Sequence, residues 1–332
     1  MTVAGPFGLS TADPGLEADL RSGMKAVEQM LRDCVKSEYP FVTEASRHLV
    51  EAGGKRFRPL LVLLAAQFGD PRSAGVVPSA VVVELTHLAT LYHDDVMDEA
   101  ALRRGAVSAN ARWDNSVAIL TGDFLFARAS DILADLGPEC VRLQAQTFER
   151  LVTGQIRETV GPGPDEDPIE HYLSVLADKT GSLIATSGRF GALLSGADPA
   201  VVDIMTRFGE HIGVAFQLSD DLLDVTSESA ESGKTPGTDL REGVATLPVL
   251  HARRSESRSD GRLLELLDAD LEDDALHAEA LALLRTDPAM DAARAELHRW
   301  AERARATLGP LPAGAAKAAL LELCDLVVSR SG

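Results

Sequence analysis

The sequence predicts an all-α protein, a large helical bundle around a central cavity. Apolar residues recur at three- and four-residue spacing over long stretches, which is typical of helices with one buried face. Hairpin signals between apolar runs are absent, so no paired strand is predicted. No Pro/Gly/Ser-rich linker divides the 332 residues into two self-sufficient halves. We therefore expect a flexible N-terminus over residues 1–14 and one large domain over residues 15–332.

The helices are predicted in order from their periodicity and from the turn residues between them. The apolar run that ends near Glu99 contains three consecutive valines, Val81 to Val83, which also suit a strand. Its length favours a helix. The predicted helices begin near Leu16 and then cover 60–68, 80–99, 107–113, 123–136, 139–158, 169–177, 182–194, 200–224, 263–283, 290–308 and 315–328.

Composition and charge restrict the functions that this chain could have. Lys and Arg number 32 against 51 Asp and Glu, which gives a formal charge of −19. Such a charge repels nucleic acid and anionic membranes unless a local basic patch overrides it, so no nucleic-acid partner is expected. It also repels a diphosphate. An acidic protein that binds an anionic substrate needs concentrated local cations or a bound metal.

We expect no transmembrane segment and a cytoplasmic location. The longest apolar stretch, Val76 to Tyr92, contains Glu84 and His87 and is too short and too polar to span a bilayer. Residues 1–19 lack a basic region followed by an apolar core, so no signal peptide is expected. The three cysteines are isolated in sequence, which fits reduced thiols.

Two acidic clusters are the strongest chemical signals. Asp94 and Asp98 are four residues apart at the end of an apolar helix and share a face, where their charges repel each other without a cation. The same Asp-Asp-x-x-Asp pattern returns much later in the chain, also at the end of an amphipathic run. We define the first aspartate cluster as Asp94, Asp95 and Asp98, and the second aspartate cluster as Asp220, Asp221 and Asp224.

Hard divalent metals prefer such oxygen ligands, and Mg²⁺ usually keeps waters and takes further ligands from substrate phosphates. A solvated helix end is the simple explanation of one acidic cluster. Two clusters of the same pattern favour Mg²⁺ held between two facing helix ends.

With these two motifs the sequence resembles the trans-isoprenyl diphosphate synthases, also called polyprenyl synthetases. The resemblance runs from about Gly53 to about Pro248 and continues more faintly to the C-terminus. It implies the isoprenoid synthase fold, a homodimer and Mg²⁺ as cofactor. It also implies head-to-tail condensation of isopentenyl diphosphate with an allylic diphosphate primer, farnesyl or geranylgeranyl diphosphate.

The segment Gly53-Gly54-Lys55-Arg56-Phe57-Arg58-Pro59 places closely spaced cations near a helix start, which suits an anion. A solvated basic turn is the alternative. The segment matches the family pattern Gly-Gly-Lys-x-x-Arg-Pro, and the resemblance implies that Lys55 and Arg58 bind the diphosphate of isopentenyl diphosphate. It implies the same for His87, seven residues before Asp94, although a lone buried histidine is more often a core residue.

Other substrate contacts are also implied by the resemblance. Arg103 and the allylic diphosphate form one expected pair, and Arg104 and isopentenyl diphosphate form another. Without the resemblance, Arg103-Arg104-Gly105 is explained as a solvated helix end that complements the helix dipole, and Lys179-Thr180-Gly181 as an ordinary N-cap that begins a helix. The remaining residues implied for the allylic diphosphate and its metals are Lys179, Thr180, Gln217 and Lys234, with Gln155 as a weaker match. Val244 stands where the family commonly has a second lysine, so one cation of the allylic site is missing.

Product length is expected to depend on Ala89 and Thr90, five and four residues before Asp94. In the family, bulky aromatic residues at these positions block the cavity. The small residues here predict a long all-trans product, beyond twenty carbons. A deeper floor formed by Phe124, Phe126 or Phe148 would instead stop growth at geranylgeranyl diphosphate.

Two alternatives to an active synthase remain. They are a class I terpene cyclase and a catalytically silent partner subunit of a heteromeric synthase.

Overall fold

The computed structural model describes Leu9 and residues 13–227, 236–254 and 261–330. These residues are overwhelmingly helical, which confirms the all-α class. None of the helices in these ranges is long and apolar enough to cross a membrane. The helices are α1 (Pro14–Cys34), α2 (Pro40–Glu51), α3 (Phe57–Ala66), α4 (Val76–Met97), α5 (Ala109–Arg112), α6 (Asn115–Leu136), α7 (Pro138–Val160), α8 (Pro168–Leu176), α9 (Ser182–Leu194), α10 (Pro199–Thr226), α11 (Thr238–Arg241), α12 (Leu247–Arg254), α13 (Gly261–Leu267), α14 (Asp274–Thr286), α15 (Pro288–Thr307) and α16 (Ala315–Ser329).

Several helices begin where the sequence supplies a capping carboxylate. Asp13 accepts a hydrogen bond from the amide of Leu16 at 2.8 Å, and Pro14 occupies the first position of α1. Asp167 likewise accepts from the first amides of α8. These caps satisfy amides that have no partner within the helix, so the helix starts are encoded locally.

The prediction that the chain contains no paired strand is wrong at one place. Leu102–Arg103 (β1) pairs antiparallel with Ala106–Val107 (β2), so α5 begins only at Ala109. Arg104 and Gly105 connect the strands with φ angles of 54° and 76°. Two successive positive φ angles are the requirement of a tight hairpin turn. The first of these positions usually carries Asn, Asp or Gly, and because it carries an arginine here the sequence does not indicate the turn.

The predicted helix over 263–283 is also wrong, because α13 ends at Leu267 and α14 begins at Asp274. Asp273 caps α14 by accepting from the amides of Ala275 and Leu276. A polar, acidic segment interrupts the apolar pattern here, and its capping chemistry starts a new helix.

The chain forms two compact units. The first comprises residues 1–149, 183–209 and 310–320, and the second comprises residues 150–182, 210–309 and 321–332. The expectation of a single domain over 15–332 stays a prediction, and the predicted flexible N-terminus lies outside the described residues apart from Leu9, Asp13 and Pro14.

In the first unit, α4 is the central buried helix. Its residues from Ser79 to Thr86 are fully buried, and the three valines lie in this helix, as predicted. Helix α6 packs closely against it, since a Cβ at Gly122 would lie 3.0 Å from the carbonyl oxygen of Ala89. The long buried helix carries Glu84, His87 and the first aspartate cluster along its length.

In the second unit, a π-helical turn over Ala177–Gly181 joins α8 to α9. Helix α7 approaches this turn at Gly154, where a Cβ would lie 2.7 Å from the amide nitrogen of Lys179. The sequence interpretation of Lys179-Thr180-Gly181 as an N-cap is wrong, because the helix continues through these residues. Single π turns within helices are frequent at functional sites.

Candidate active site

The first aspartate cluster lies at the C-terminal end of α4. Asp95 is fully buried, and burial raises the pKa of its carboxyl group, although the hydrogen bond from Arg103 acts in the opposite direction. Arg103 Nε donates to Asp95 Oδ1, and its Nη2 donates to Asp98 Oδ2 at 3.2 Å. Asp95 Oδ2 is buried and has no hydrogen-bond partner among the described residues. The cluster therefore retains acceptor capacity for a cation.

The tight hairpin turn separates the two adjacent arginines. Whereas Arg103 contacts the first aspartate cluster, Arg104 extends back to the end of α2 and the loop after it. Arg104 Nη1 donates to the carbonyl oxygen of Leu49 at 3.3 Å and to that of Gly53. The two side chains thus belong to different parts of the first unit, and their roles in binding the two substrates stay predictions.

A group of basic side chains comes from the loop before α3, from α3 and α4, and from the hairpin turn. We define it as the cationic cluster: Lys55, Arg58, His87 and Arg104. The pKa of Arg58 is lowered to about 10, chiefly by burial; the charge of Glu84 opposes this shift and that of Arg104 contributes to it. Arg58 Nε is buried without a hydrogen-bond partner among the described residues. Such a buried cation is stabilised by an anionic ligand.

His87 is neutral at physiological pH, because burial and neighbouring positive charges lower its pKa too. Burial holds the pKa of its imidazole well below the usual value, and the nearby positive charges of Arg58 and Arg104 lower it further. The half-buried ring can therefore both donate and accept a hydrogen bond. The positive potential at this place in the first unit, within a strongly acidic protein, comes from the exposed Lys55 and the half-buried Arg58 and Arg104.

Sequence reasoning missed a buried ion-pair network behind this cluster. Arg56 donates to Glu28 Oε1 at 2.6 Å and to Glu84 Oε1 at 2.7 Å, and both Arg56 and Glu84 are buried. Arg56 is therefore a structural cation, although it lies between Lys55 and Arg58 in sequence. The available signal was an acidic residue within a long apolar helix, because such a residue requires a buried partner.

The second aspartate cluster lies near the end of α10. Asp221 accepts hydrogen bonds from Tyr172 and from Gln217 Nε2, the latter at 2.9 Å. The pKa of Asp221 is raised to about 6, chiefly by burial and also by the charges of Asp220 and Asp224, against the effect of these two hydrogen bonds. Mutual repulsion among three carboxylates is the electrostatic condition that a divalent cation relieves.

The other two carboxylates of this cluster have different partners. Arg330, at the end of α16, donates to Asp220 Oδ1 at 2.7 Å, and its guanidinium lies 5.1 Å from the ring centre of Phe216. Asp224 accepts from the amides of Thr238 and Asp239 at 3.2 and 3.1 Å. Asp224 thus anchors the first residues of α11. Sequence reasoning missed Tyr172 and Arg330, which carry no local motif.

The π-helical turn presents the predicted allylic contacts within the second unit. Thr180 Oγ1 donates to Gln217 Oε1 at 3.3 Å, and Gln217 in turn contacts Asp221. Lys179 forms an ion pair with Glu158, which also accepts from Gln155 at 3.2 Å. The structure therefore brings Thr180 and Gln217 to the second aspartate cluster. The roles of these side chains in substrate binding stay predictions.

Two further predictions concern residues on either side of α11. Lys234 lies outside the described residues. Val244 follows α11 and is exposed, with its amide donating to the carbonyl oxygen of Asp239 at 2.8 Å. An exposed valine contributes no charge, so this position lacks the cation that the second lysine supplies in the family.

The proposed chain-length residues, Ala89 and Thr90, lie on α4 between His87 and the first aspartate cluster. Ala89 is fully buried, whereas Thr90 is half-buried and donates to the carbonyl oxygen of His87 at 2.9 Å. The rings of Phe126 and Phe148 pack with their centres 4.4 Å apart. Small side chains on α4 thus accompany aromatic ones on α6 and α7 within the first unit, and their effect on product length stays a prediction.

In the described ranges, no three His, Cys, Asp or Glu side chains form a group that could hold a metal ion by themselves. In each unit an arginine pairs with carboxylates of the cluster, Arg103 with Asp95 and Asp98, and Arg330 with Asp220. The donor set still fits a hard divalent cation, because carboxylate oxygens dominate it and Asp95 Oδ2 has no described partner. Waters and substrate oxygens would complete the coordination.

Comparison with known proteins supplies the family. The family model described as polyprenyl synthetase matches residues 39–284. The nonaprenyl diphosphate synthase of Mycobacterium tuberculosis is 49% identical over 98% of this chain and 97% of that protein.

Two solved structures are similar over nearly their whole length. One is a geranylgeranyl pyrophosphate synthase from Corynebacterium glutamicum complexed with calcium and isoprenyl diphosphate. It has a TM-score of 0.88 and 48% identity and covers 98% of this chain and 100% of that one. The other is a decaprenyl diphosphate synthase from Rhodobacter capsulatus, with a TM-score of 0.86 and 34% identity over 96% and 99% of the two chains.

Proposed function

Because this chain belongs to the polyprenyl synthetase family, and is thus a prenyltransferase with the all-α isoprenoid synthase fold, we propose that it is a long-chain polyprenyl diphosphate synthase. It condenses isopentenyl diphosphate with an allylic diphosphate primer, farnesyl or geranylgeranyl diphosphate, and repeats the step. The observation that carries this proposal is the cationic cluster on α3, the loop before it, α4 and the hairpin. A second diphosphate site is what an enzyme needs if it is to add one isoprenoid diphosphate to another.

The relatives favour a long product over geranylgeranyl diphosphate. Synthases named for nonaprenyl, heptaprenyl and decaprenyl products are among the similar proteins. The fully buried Ala89 also fits this proposal, because a small side chain leaves room that a large aromatic residue would fill. Burial of each further isoprene unit contributes about 0.8 kcal/mol per CH₂ equivalent, which favours retention of the growing chain.

The allylic diphosphate is the leaving group, and both aspartate clusters serve its departure. Enzymes of this family depend on a divalent metal, and we propose Mg²⁺, held by Asp94, Asp95, Asp98 and by Asp220, Asp221, Asp224. When bound, Mg²⁺ neutralises the negative charge that develops on the departing diphosphate. Lys179 and Arg103 provide further positive charge beside the departing diphosphate, and Lys234 is a further predicted contact. Thr180 and Gln217 provide hydrogen bonds that orient it.

The cationic cluster positions the second substrate. Lys55, Arg58 and Arg104 bind the diphosphate of isopentenyl diphosphate, and the neutral His87 donates a hydrogen bond to it. The double bond of isopentenyl diphosphate then attacks the allylic carbocation, and the released diphosphate accepts the proton that is lost. No protein nucleophile is required. Water must be excluded because it would react with the carbocation.

Two other functions are less well supported. A class I terpene cyclase uses aspartate-bound metal but only one diphosphate substrate, so the cationic cluster would have no purpose in it. A catalytically silent subunit typically lacks an aspartate motif, whereas both are present here.

The decisive experiment is turnover by the purified chain alone with farnesyl diphosphate, isopentenyl diphosphate and Mg²⁺. We expect Asp94→Ala and Asp220→Ala each to lower turnover by orders of magnitude while circular dichroism and the melting temperature remain close to those of the wild type. Near-normal turnover in either variant would contradict the metal assignment. Absence of condensation by the wild-type chain would contradict the proposed function.

A homodimer is part of the same proposal. On α6, Ile119 and Leu120 are 43% and 66% exposed, and Val141 on α7 is also exposed. Exposed apolar side chains on neighbouring helices are typical of a subunit interface. Leu120→Glu is therefore expected to shift the mass measured by light scattering from dimer to monomer. Tyr39→Glu, a control at another exposed apolar residue, should leave the mass unchanged, and a monomeric wild-type chain would refute the proposal.

We also propose a cytoplasmic location. Cys34, Cys140 and Cys324 are all free and buried, and free thiols are usual in proteins of reducing compartments.

A further inference from the structure

Glu84 is an anionic residue in the middle of the first unit's apolar helix α4. It is only 1% exposed. Its Oε1 accepts a hydrogen bond from Arg56 Nη1 at 2.7 Å, and Arg104 Nη2 lies 3.8 Å from the same oxygen. One buried carboxylate thus attracts two arginines from segments that lie before and after α4 in the sequence.

Both arginines adopt a backbone conformation that side chains disfavour. Arg56 has a φ of 50° and Arg104 a φ of 54°, and only one other non-glycine residue in the described part of the chain has a positive φ. Residues in this region are retained where the surrounding contacts hold them. Glu84 supplies a contact shared by the two, so it stabilises the turn before α3 and the hairpin turn together.

The same arginines connect these turns to the end of α2. Arg56 Nη2 donates to the carbonyl oxygen of Val50 at 2.8 Å, and Arg104 donates to those of Leu49 and Gly53. Arg56 directly follows Lys55 and precedes Arg58 by two residues. A displacement of Arg56 would therefore move two members of the cationic cluster, and a displacement of Arg104 would move a third.

We propose that Glu84 is a positioning residue for the isopentenyl diphosphate site. Its carboxylate fixes Arg104 directly, and it fixes Lys55 and Arg58 through Arg56, without touching the substrate. The inference rests on the proposed function, because it assigns that site's geometry to one buried anion. A positioning role and a purely electrostatic role predict opposite effects. A negative charge behind the site repels a diphosphate, so its neutralisation alone would tighten binding.

The test is calorimetric binding of isopentenyl diphosphate to the purified chain without added metal. For Glu84→Gln, which keeps the size of the side chain and removes its charge, we expect the dissociation constant to rise at least about tenfold. The dissociation constant of farnesyl diphosphate, measured separately with Mg²⁺, should change less than about twofold. This difference between the two ligands is an outcome that a general loss of stability does not produce.

Glu28→Gln is the matched control, since Glu28 also accepts a hydrogen bond from Arg56, at 2.6 Å, but acts on Arg104 only through its charge, without an ion pair to it. We expect this variant to lose thermal stability while its affinity for isopentenyl diphosphate falls by less than about threefold. An equal loss of affinity in both variants would overturn the specific role of Glu84.

Glu84→Asp separates charge from position. It keeps the negative charge but withdraws the carboxylate by one methylene group, so the positioning role predicts weaker binding of isopentenyl diphosphate even in this conservative variant. Unchanged affinity in Glu84→Asp, or unchanged or tighter binding in folded Glu84→Gln, would overturn the inference. If Glu84→Gln does not fold, the aspartate variant alone decides between the two roles. If the wild-type chain does not bind isopentenyl diphosphate, the proposed function itself is wrong.

Discussion

The guanidinium of Arg104 occupies the space that a side chain at Gly54 would need. A Cβ at Gly54 would lie 2.9 Å from Arg104 Cζ and equally close to Nη1. Gly54 has a φ of 134°, and its neighbour Gly53, whose carbonyl oxygen accepts from Arg104, has a φ of 83°. The loop before α3 therefore needs glycine for its backbone and also for the arginine that packs against it.

Gly54→Ala should displace Arg104 from the cationic cluster. We expect the Michaelis constant for isopentenyl diphosphate to rise about tenfold, which corresponds to about 1.4 kcal/mol of lost binding. Gly53→Ala is the control, because it also imposes an unfavourable positive φ but meets no atom within 4 Å. Steady-state kinetics of both variants should show the larger increase for Gly54→Ala. Equal increases would mean that backbone strain alone is responsible.

Arg58→Ala should distinguish the two substrate sites. Because Arg58 belongs to the cationic cluster and Lys179 to the other unit, we expect the Michaelis constant for isopentenyl diphosphate to rise more than that for the allylic primer. The opposite ranking would show that the two sites are exchanged.

Val244→Lys restores the cation that the sequence lacks. In the same assay it is expected to lower the Michaelis constant for the allylic primer, because Val244 is exposed and an added ammonium group can approach a bound diphosphate. An unchanged constant would show that the missing cation has no effect on primer affinity.

His87 should make stability depend on pH. Its pKa in the folded chain is lowered by burial and by Arg58, Arg104, Arg56 and Arg103, whereas an unfolded histidine titrates near 6.5. Below about pH 6.5 the unfolded chain therefore binds the proton more readily, and the free energy of unfolding falls as the pH decreases.

Urea unfolding at pH 8 and pH 5.5 measures this contribution. The loss of stability between the two pH values is expected to be smaller in His87→Gln than in the wild type, because glutamine does not titrate. A loss of the same size in both chains would show that His87 is protonated equally in the folded and unfolded states.

Ala89→Phe should shorten the product. Ala89 is fully buried, so a phenylalanine at this position needs additional interior volume, and we expect it to take that volume from the space that accommodates the growing chain. Overpacking is expected to cost about 1–3 kcal/mol of stability. Chromatography of the products from farnesyl diphosphate and excess isopentenyl diphosphate measures the change. A short wild-type product, or a product of unchanged length in the variant, would exclude Ala89 as the determinant.

The sequence by itself determined the helical class, the position of α4 and the two aspartate clusters. These features depend on residues that are close along the chain. Three- and four-residue spacing defines a buried helical face, and the same spacing brings Asp94 and Asp98 together. The length of the apolar run identified Val81 to Val83 as helical although valine favours strands.

Only the tertiary structure decided which charged residues form the site and which ones support it. Lys55, Arg56 and Arg58 look equivalent in sequence, yet Arg56 is buried against Glu28 and Glu84, each 28 residues away. Arg330 reaches Asp220 from 110 residues away, and the positive φ of Arg104 accompanies contacts with Glu84 and Gly53. Ion pairs of this kind depend on how distant segments pack, and no local periodicity encodes them.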